Sequence, residues 1–565
     1  MKKILVLMTV ITLAVPIWAT APHPGDDYVL PDYYYNVPMI DTSINPLLMR
    51  FNYLYEFRQI ADFCAFWQLD DADSADHGGM IEAETGELKD IIQTDNTQEA
   101  IWVWSRYGEL TGDTSRYREN IDKAWFYCEN FPAWEEEGDP GQDYYRAHNC
   151  AWGIAAESRF RNVYGDNSKG WYRDSCVSYI ETHPLSLSSK LNRLVTGWCA
   201  GWLYYYTTEF RDGVALDSAL AHSHRLLEKI NEAPQFHLSD EYWAMSAGTM
   251  VWGISNSYFQ ENMSEGIDWV AENGHYLDTF QVWKPSGRSW DNSWNVGFCN
   301  GHGAMYDISG DEKYARHHKW LAHKLLSYDT DDDGGIPATT KDTDTTDMSW
   351  VSTYLCMMGL DRLIGEVPDF DAGVLELVDI YDGKQIEVGT VIDLKAVVSN
   401  FGLGDMSGVS VELEGLGSGS ADLGFLEADT VVLVEGWEVP DSAVLRVTIN
   451  HADDENDTND TLTVRLNKAA GIGEDRPESI AGLDVGYASG GDIRISYSLK
   501  GAHGYKLSVY SADGRLVRSF DVLSETGSII WDGRCKDGSQ VSAGVYFFNL
   551  KTSDGAITRK TTLLE

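Results

Sequence analysis

Cysteine and basic residues are both scarce in this chain, and each shortage excludes something. Eight cysteines in 565 residues are too few and too scattered for a disulfide framework. Cys64, Cys128, Cys150, Cys176, Cys199, Cys299 and Cys356 fall in apolar helical stretches and read as small buried residues. One or two disulfides stay open as an alternative in an oxidising compartment, but Cys535 stands alone in its C-terminal stretch. Lys and Arg number 43 against 88 Asp and Glu, a formal net charge of −45. So acidic a surface argues against nucleic acid as a partner, because phosphates demand cations. It suits divalent cations and repels polyanions unless cations intervene. The excess lies upstream, since Lys500 to Glu565 holds nine basic and seven acidic residues. After Ile17 no apolar run approaches the roughly 20 residues a membrane helix needs, so no membrane span is expected. Nothing in the chain asks for an organic cofactor.

What is present begins with an export signal. Lys2 and Lys3 precede an apolar run from Ile4 to Ile17, and small residues follow at Ala19 and Ala21. Residues 1–21 therefore read as a secretory signal peptide, and the mature protein is expected to be secreted or held at the outer cell surface. The length suggests three or four domains. Aromatics are abundant, with 20 Trp and 30 Tyr, most of them before residue 360. They suit either a large helical core or walls that stack on sugar rings.

A period of about 50 residues organises the first two thirds of the chain. Trp102, Trp152, Trp202, Trp252, His302 and Trp350 recur at near-constant spacing, each in a segment rich in Gly, Ala, Trp and Tyr. Turn signals follow most of them, at Thr111-Gly112-Asp113, Tyr164-Gly165-Asp166, Arg211-Asp212-Gly213 and Ser309-Gly310-Asp311. Helix, Gly/Asp turn, helix, repeated six times, predicts a ring of helical hairpins over 22–367, with small-residue helices inside and amphipathic ones outside. This pattern, with phrases such as Glu99-Ala100-Ile101-Trp102, resembles the (α/α)6 toroid of six-hairpin glycosidases, which several polysaccharide lyases share. The resemblance implies an all-α catalytic domain acting on a polysaccharide. It transfers no catalytic residue, because no single family motif matches, so a non-catalytic surface ring that binds glycans or partner proteins stays open beside the enzyme.

The links that enter each Trp-marked helix are long and polar, and all should open on one face of the ring. Three acid pairs or aromatic-flanked acids lie in or next to them: Asp95 with Glu99, Asp240 with Glu241 beside Tyr242 and Trp243, and Asp291 between Trp290 and Trp294. Glycoside hydrolysis needs two carboxyls, one as proton donor and one as base or nucleophile, so these are the candidate catalytic acids. The bland alternative for Asp95 and Glu99 is a helix cap and a first-turn stabiliser. The loop 143–149, with Tyr145, Arg146, His148 and Asn149, favours a uronate lyase instead, in which one group neutralises the carboxylate and Tyr or His moves the proton. Asp347 and Trp350 are further candidate substrate contacts. Asp329, Asp331 and Asp333, followed by Gly334-Gly335, have the alternate spacing of a calcium loop. Thr340 stands where the bidentate Glu belongs, and Asp342, Asp344 or Asp347 would have to substitute.

Two further likenesses are weaker. Asp329-Thr330-Asp331-Asp332 resembles the acidic motif of triterpene cyclases, which an exported protein with hydrophilic loops does not suit. Trp198-Cys199-Ala200-Gly201 and Cys299-Asn300-Gly301-His302-Gly303 resemble the zinc phrases of lanthionine cyclases, but those enzymes act inside cells, no third ligand stands out, and buried cysteine is the simpler reading.

After Pro368 the pattern becomes alternating Val, Leu and Ile with Gly and Asp turns, which predicts strands. Val397-Val398-Ser399-Asn400-Phe401-Gly402 and the acidic turn Asp453–Asp460 resemble a CARDB-type Ig-like module over 368–467. A linker, 468–482, follows. Val509-Tyr510-Ser511-Ala512-Asp513-Gly514-Arg515, Trp531-Asp532-Gly533-Arg534 and Ser542-Ala543-Gly544-Val545-Tyr546-Phe547-Phe548 resemble the sorting domain of type IX secretion cargo, close to an Ig-like domain of hook-capping proteins. That resemblance implies an address over 483–565, read by the secretion machinery or tied to the cell surface.

Overall fold

The computed structural model describes residues 49–84, 89, 91–135, 144–238, 244–278, 291–329, 332–338, 347–381 and 384–468, and toward the C-terminus 481–487, 493–499, 506–511, 516–521, 526–535, 540–541, 544–552 and 555–563. The expected signal segment lies outside them. The chain divides into a helical unit, built from Tyr53–Ala338 and Asp344–Val367, and a β-rich unit whose strands all come from Pro368–Glu565.

In the helical unit α1 (Tyr53–Trp67) leads to a two-stranded ribbon, β1 (Met80–Ile81) and β2 (Ile92–Gln93). Five helix pairs follow: α2 (Thr94–Thr111) with α3 (Arg118–Asn130), α4 (Tyr144–Tyr164) with α5 (Gly170–Thr182), α6 (Lys190–Phe210) with α7 (Gly213–Glu232), α8 (Ala244–Ser255) with α9 (Met263–Asn273), and α10 (Asp291–Ser309) with α11 (Glu312–Leu326). The last inner helix, α12 (Ser349–Leu355), runs on through one π turn at Cys356–Leu360 into Asp361–Ile364. Its partner is α1, so the sixth pair joins the two ends of the unit. Each inner helix packs on the next, α2 on α4, α6, α8, α10 and α12 in turn, and α12 returns to α2. The ring is closed.

The turn signals work as the sequence implied, with one change. Gly112, Gly165 and Gly310 take positive φ of 74°, 64° and 66° at the hairpin bends. In the third hairpin Arg211, at φ 52°, takes that place instead of Gly213. Asp212 then caps α7 by accepting the Val214 and Ala215 N–H groups. Small residues let the inner helices touch backbone to backbone: a Cβ on Gly253 would sit 2.1 Å from the Gly197 oxygen. One expectation fails here. Residues 144–149 are the first turns of α4 and not a loop, because Tyr145, His148, Asn149 and Trp152 repeat at helical spacing and all turn inward.

The β-rich unit holds two pairs of facing sheets. In the first pair, β3 (Ala372–Leu377), β5 (Val391–Asn400) and β8 (Ala428–Glu438) form one sheet in the order β3-β5-β8. Opposite lie β4 (Gln385–Ile386), β10 (Thr461–Lys468), β9 (Ala443–Asn450), β6 (Met406–Leu413) and β7 (Gly417–Leu423), in that order. One core joins them, with Leu394, Val398, Val411, Val447 and Val464 buried. In the second pair, β11 (Ala481–Tyr487), β12 (Ile493–Leu499) and β15 (Thr526–Trp531) face β14 (Leu516–Asp521), β13 (Lys506–Ser511), β16 (Gly544–Thr552) and β17 (Gly555–Leu563). Their core centres on Trp531, whose ring stands edge-on to Tyr546 and Phe548 at 5.0 and 5.7 Å. No disulfide joins any of the eight cysteines, and seven of them are buried. No described helix is long and apolar enough to cross a membrane.

Candidate functional site

The N-terminal ends of α2 and α4 meet α12 inside the ring. β1 and β2 set the start of α2, where the Met80 N–H bonds the Thr97 hydroxyl at 2.9 Å. From Thr94 to Glu99 every residue is then buried, an unusual fate for six polar residues in a row. Gln93 takes the N-cap position without a side-chain cap bond. Asp95 therefore does not cap the helix; it sits inside the first turn.

Three carboxyls share this interior. Asp95 is wholly buried, and Glu82 and Glu99 are each 1% exposed. Their compensation differs. Glu82 accepts from the Trp350 indole N–H at 2.9 Å and from the Asn96 amide at 2.8 Å. Asp95 accepts the Asn96 backbone N–H at 3.0 Å, and its other oxygen lies 3.4 Å from Nδ1 of His148. Glu99 accepts only the Thr353 hydroxyl, at 2.7 Å, and its Oε1 has no partner among the described residues. Burial, and then the charges of Asp95 and Glu82, push the Glu99 carboxyl well above its ordinary range against the pull of Thr353. The surroundings of Glu99 thus favour its protonated form.

Aromatic rings wall the same interior. Tyr354 stacks on Trp152 at 5.5 Å, meets Trp350 edge-on at 5.4 Å, and lies 6.5 Å from Trp198. Its hydroxyl is 3.1 Å from Nε2 of His148. Burial, and then Glu99 and Asp95, push the phenol far up, so it stays a neutral donor. Tyr145, fully buried, accepts a hydrogen bond from the Gln93 amide.

The sequence-derived candidates separate accordingly. Asp95, Glu99, His148 and Trp350 come together; Tyr145 reaches the same end of α2 through Gln93, while Asn149 is buried on α4 and Arg146 is half-buried. Asp240, Glu241, Tyr242, Trp243, Trp290 and Asp331 lie outside the described residues. So do the side chains of Asp291 and Trp294, which occupy the first turn of α10. Glu82, Thr353 and Tyr354 belong to the site but were not singled out from the sequence. Tyr354 was legible in principle, one helical turn beyond Trp350 on the same face.

A second acidic group lies in the same unit. Carboxylate oxygens of Glu84, Asp333 and Asp347 fall within 4.8 Å of one another, a spacing that could hold a metal ion. Asp333 and Asp347 were sequence candidates; Glu84 was not. Asp329 is not in this trio. Its oxygens accept the N–H groups of Asp332, Asp333 and Gly334, and burial raises its carboxyl to about 7. Among the described residues Cys199, Cys299 and His302 form no metal-holding group. Cys299 Sγ lies against His318 at 3.4 Å, and His302 is buried among Phe298, Tyr314 and His317.

Solved structures similar to this chain include glycoside hydrolases and a sugar epimerase. An α-1,6-mannanase from a Salegentibacter species is 13% identical over 55% of this chain and 99% of its own, with a TM-score of 0.43. A family 76 glycoside hydrolase from a bovine Bacteroides thetaiotaomicron strain is 11% identical over 55% and 78%, with a TM-score of 0.42. A sugar epimerase from a ruminal bacterium is 14% identical over 55% and 98%, with a TM-score of 0.40. No family model and no curated protein matches. The functional reading accordingly rests on this chain's own residues.

Proposed function

We propose that this protein is an exported, glycoside hydrolase-like enzyme that acts on a polysaccharide, with Glu99 as proton donor and Asp95 as its ionised partner. One observation carries the reading: two buried carboxyls stand one helical turn apart in unequal surroundings. Environments that push two acids apart in pKa supply the donor and the base that glycosidic cleavage requires. The aromatic walls suit the C–H faces of sugar rings. Glu99→Gln and Asp95→Asn, assayed by reducing ends released from a panel of polysaccharides, should each lower kcat by roughly a hundredfold or more. Full activity in both variants refutes the assignment.

A lyase acting on a uronate glycan is the second reading, favoured by His148, an imidazole in contact with both Asp95 and Tyr354. Release of an ultraviolet-absorbing unsaturated product would select it. Calcium is the ion proposed for Glu84, Asp333 and Asp347, because their donors are all oxygen. The two β pairs are proposed as a CARDB-type Ig-like module and a type IX sorting module. Deleting Leu483–Glu565 should leave the helical unit folded and misroute it in the native host.

A further inference from the structure

Thr353 stands between Glu99 and a backbone carbonyl, with one proton for the two of them. Its hydroxyl lies 2.7 Å from Oε2 of Glu99 and 3.1 Å from the carbonyl oxygen of Trp350, three residues back on α12. A hydroxyl has one O–H and two lone pairs, and a backbone carbonyl only accepts. Thr353 and Glu99 are each 1% exposed, so bulk water does not stand in for either.

Burial favours the protonated acid, and that form sets the order of the bonds. With its proton on Oε1, Glu99 would hold a buried donor that meets no acceptor among the described residues. With its proton on Oε2, the line closes. Oε2 donates to Thr353, Thr353 donates to the Trp350 carbonyl, and only the carbonyl oxygen of the acid goes unserved. Buried donors left without acceptors are rarer than acceptors left without donors. Ionisation reverses the middle bond, because a carboxylate only accepts. The Thr353 proton then turns from Trp350 to Oε2, a rotation about one C–O bond. The titratable groups facing Glu99 are Asp95 on its own helix, Glu82 beside β1, Tyr354 on α12 and Cys64 on α1. Asp95 and Glu82 push the carboxyl up, and Thr353 pulls it down.

We propose that Thr353 is a positioning residue for the Glu99 proton: its hydroxyl accepts from the acid, donates to the carboxylate, and holds the carboxyl in one orientation through both states. This role rests on the proton-donor part proposed above for Glu99. A donor that releases a proton and takes one back in each turnover needs a neighbour that serves both of its forms. Thr353 is such a neighbour, because its second partner, the Trp350 carbonyl, can receive or release the hydroxyl proton.

The test is Thr353→Val in the full chain, which keeps the shape and removes the hydroxyl. Thr353→Ser restores the hydroxyl, and Thr353→Ala makes the same deletion if valine prevents folding. Infrared spectra read the stretch of a protonated buried carboxyl without reference to activity, and the band lost in Glu99→Gln identifies Glu99. In Thr353→Val this band should shift. Its titration midpoint should rise by roughly one pH unit, since a hydrogen bond to a carboxylate is worth more than one from the neutral acid. Thr353→Ser should return both to their wild-type values. With the deletion should come a roughly tenfold fall in kcat, little change in KM, and a basic limb of the kcat profile moved to higher pH. An unmoved band and midpoint in Thr353→Val overturn the inference and, in an active enzyme, leave the hydrolase reading standing. No band lost in Glu99→Gln at any pH overturns it as well. Both shifts in a protein that cleaves no polysaccharide support the Thr353–Glu99 assignment while removing the hydrolase reading from it.

Discussion

Replacing Glu99 by glutamine should make the protein more stable at alkaline pH while abolishing its activity. Glu99 is 1% exposed, with one oxygen bonded to Thr353 and the other without a partner among the described residues. Its folded pKa is raised, by burial first and by Asp95 next. A group raised in the folded state contributes stability that is complete below its unfolded pKa, near 4.3 for Glu, and lost as pH rises through the folded value. Each unit of that rise corresponds to about 1.4 kcal/mol. Glutamine has the same shape, still accepts from Thr353, and turns an N–H toward carboxylates instead of another acid. It has no proton to lose. The expected gain at pH 8 is roughly 1–2 kcal/mol, the usual size of relief from a strained functional site. For a unit of this size, that is about 2–4 °C in Tm per kcal/mol. Melting curves of wild type and Glu99→Gln at pH 5 and pH 8 provide the assay, and the gap should widen with pH. A variant less stable at pH 8, or an offset equal at both pH values, refutes the reasoning.

Acid should act through buried histidines. Burial lowers His222 and His318 to about 4, so each contributes stability that is present above pH 6.5 and fades as pH falls toward 4, about 2 kcal/mol each by pH 5. His222→Gln should remove one such share, visible as a shallower loss of Tm between pH 7 and pH 5. Gly253→Ala should cost at least 2 kcal/mol in denaturant unfolding, because its Cβ would meet the Gly197 backbone 2.1 Å away, where α6 cannot retreat from α8 without opening the ring. If calcium occupies Glu84, Asp333 and Asp347, a chelator should lower Tm in the wild type and leave Asp347→Asn unmoved.

The ring was legible because its signals are local and repeated. A glycine that must take positive φ, as at Gly112, and an alanine- or glycine-rich face that must touch a neighbour are both written at fixed offsets. Arg211 shows the limit of that reading: the turn survived while the residue in the left-handed position changed, because Asp212 was the better cap for α7. The site was legible only in part. Asp95 and Glu99 announce themselves as acids one turn apart at the head of an apolar helix, and His148 by its crowded neighbours. Glu82 gives no such sign, because it enters the site through β1 pairing with β2, a contact too short to leave a strand pattern.

The same limit explains why Tyr354 was passed over for Trp350. Spacing puts both on one face of α12, yet only the fold brings His148 of α4 within 3.1 Å of the tyrosine hydroxyl. Sequence periodicity says which residues look inward; it does not say which inward-looking residues from different repeats share a proton. Chemistry in a closed ring arises between helices some 50 to 250 positions apart: 53 residues separate Asp95 from His148, and 206 separate His148 from Tyr354. Composition and spacing therefore narrow the candidate acids to a few pairs. The rise of the Glu99 carboxyl, driven by burial and then by the charges of Asp95 and Glu82, is by contrast a purely tertiary property.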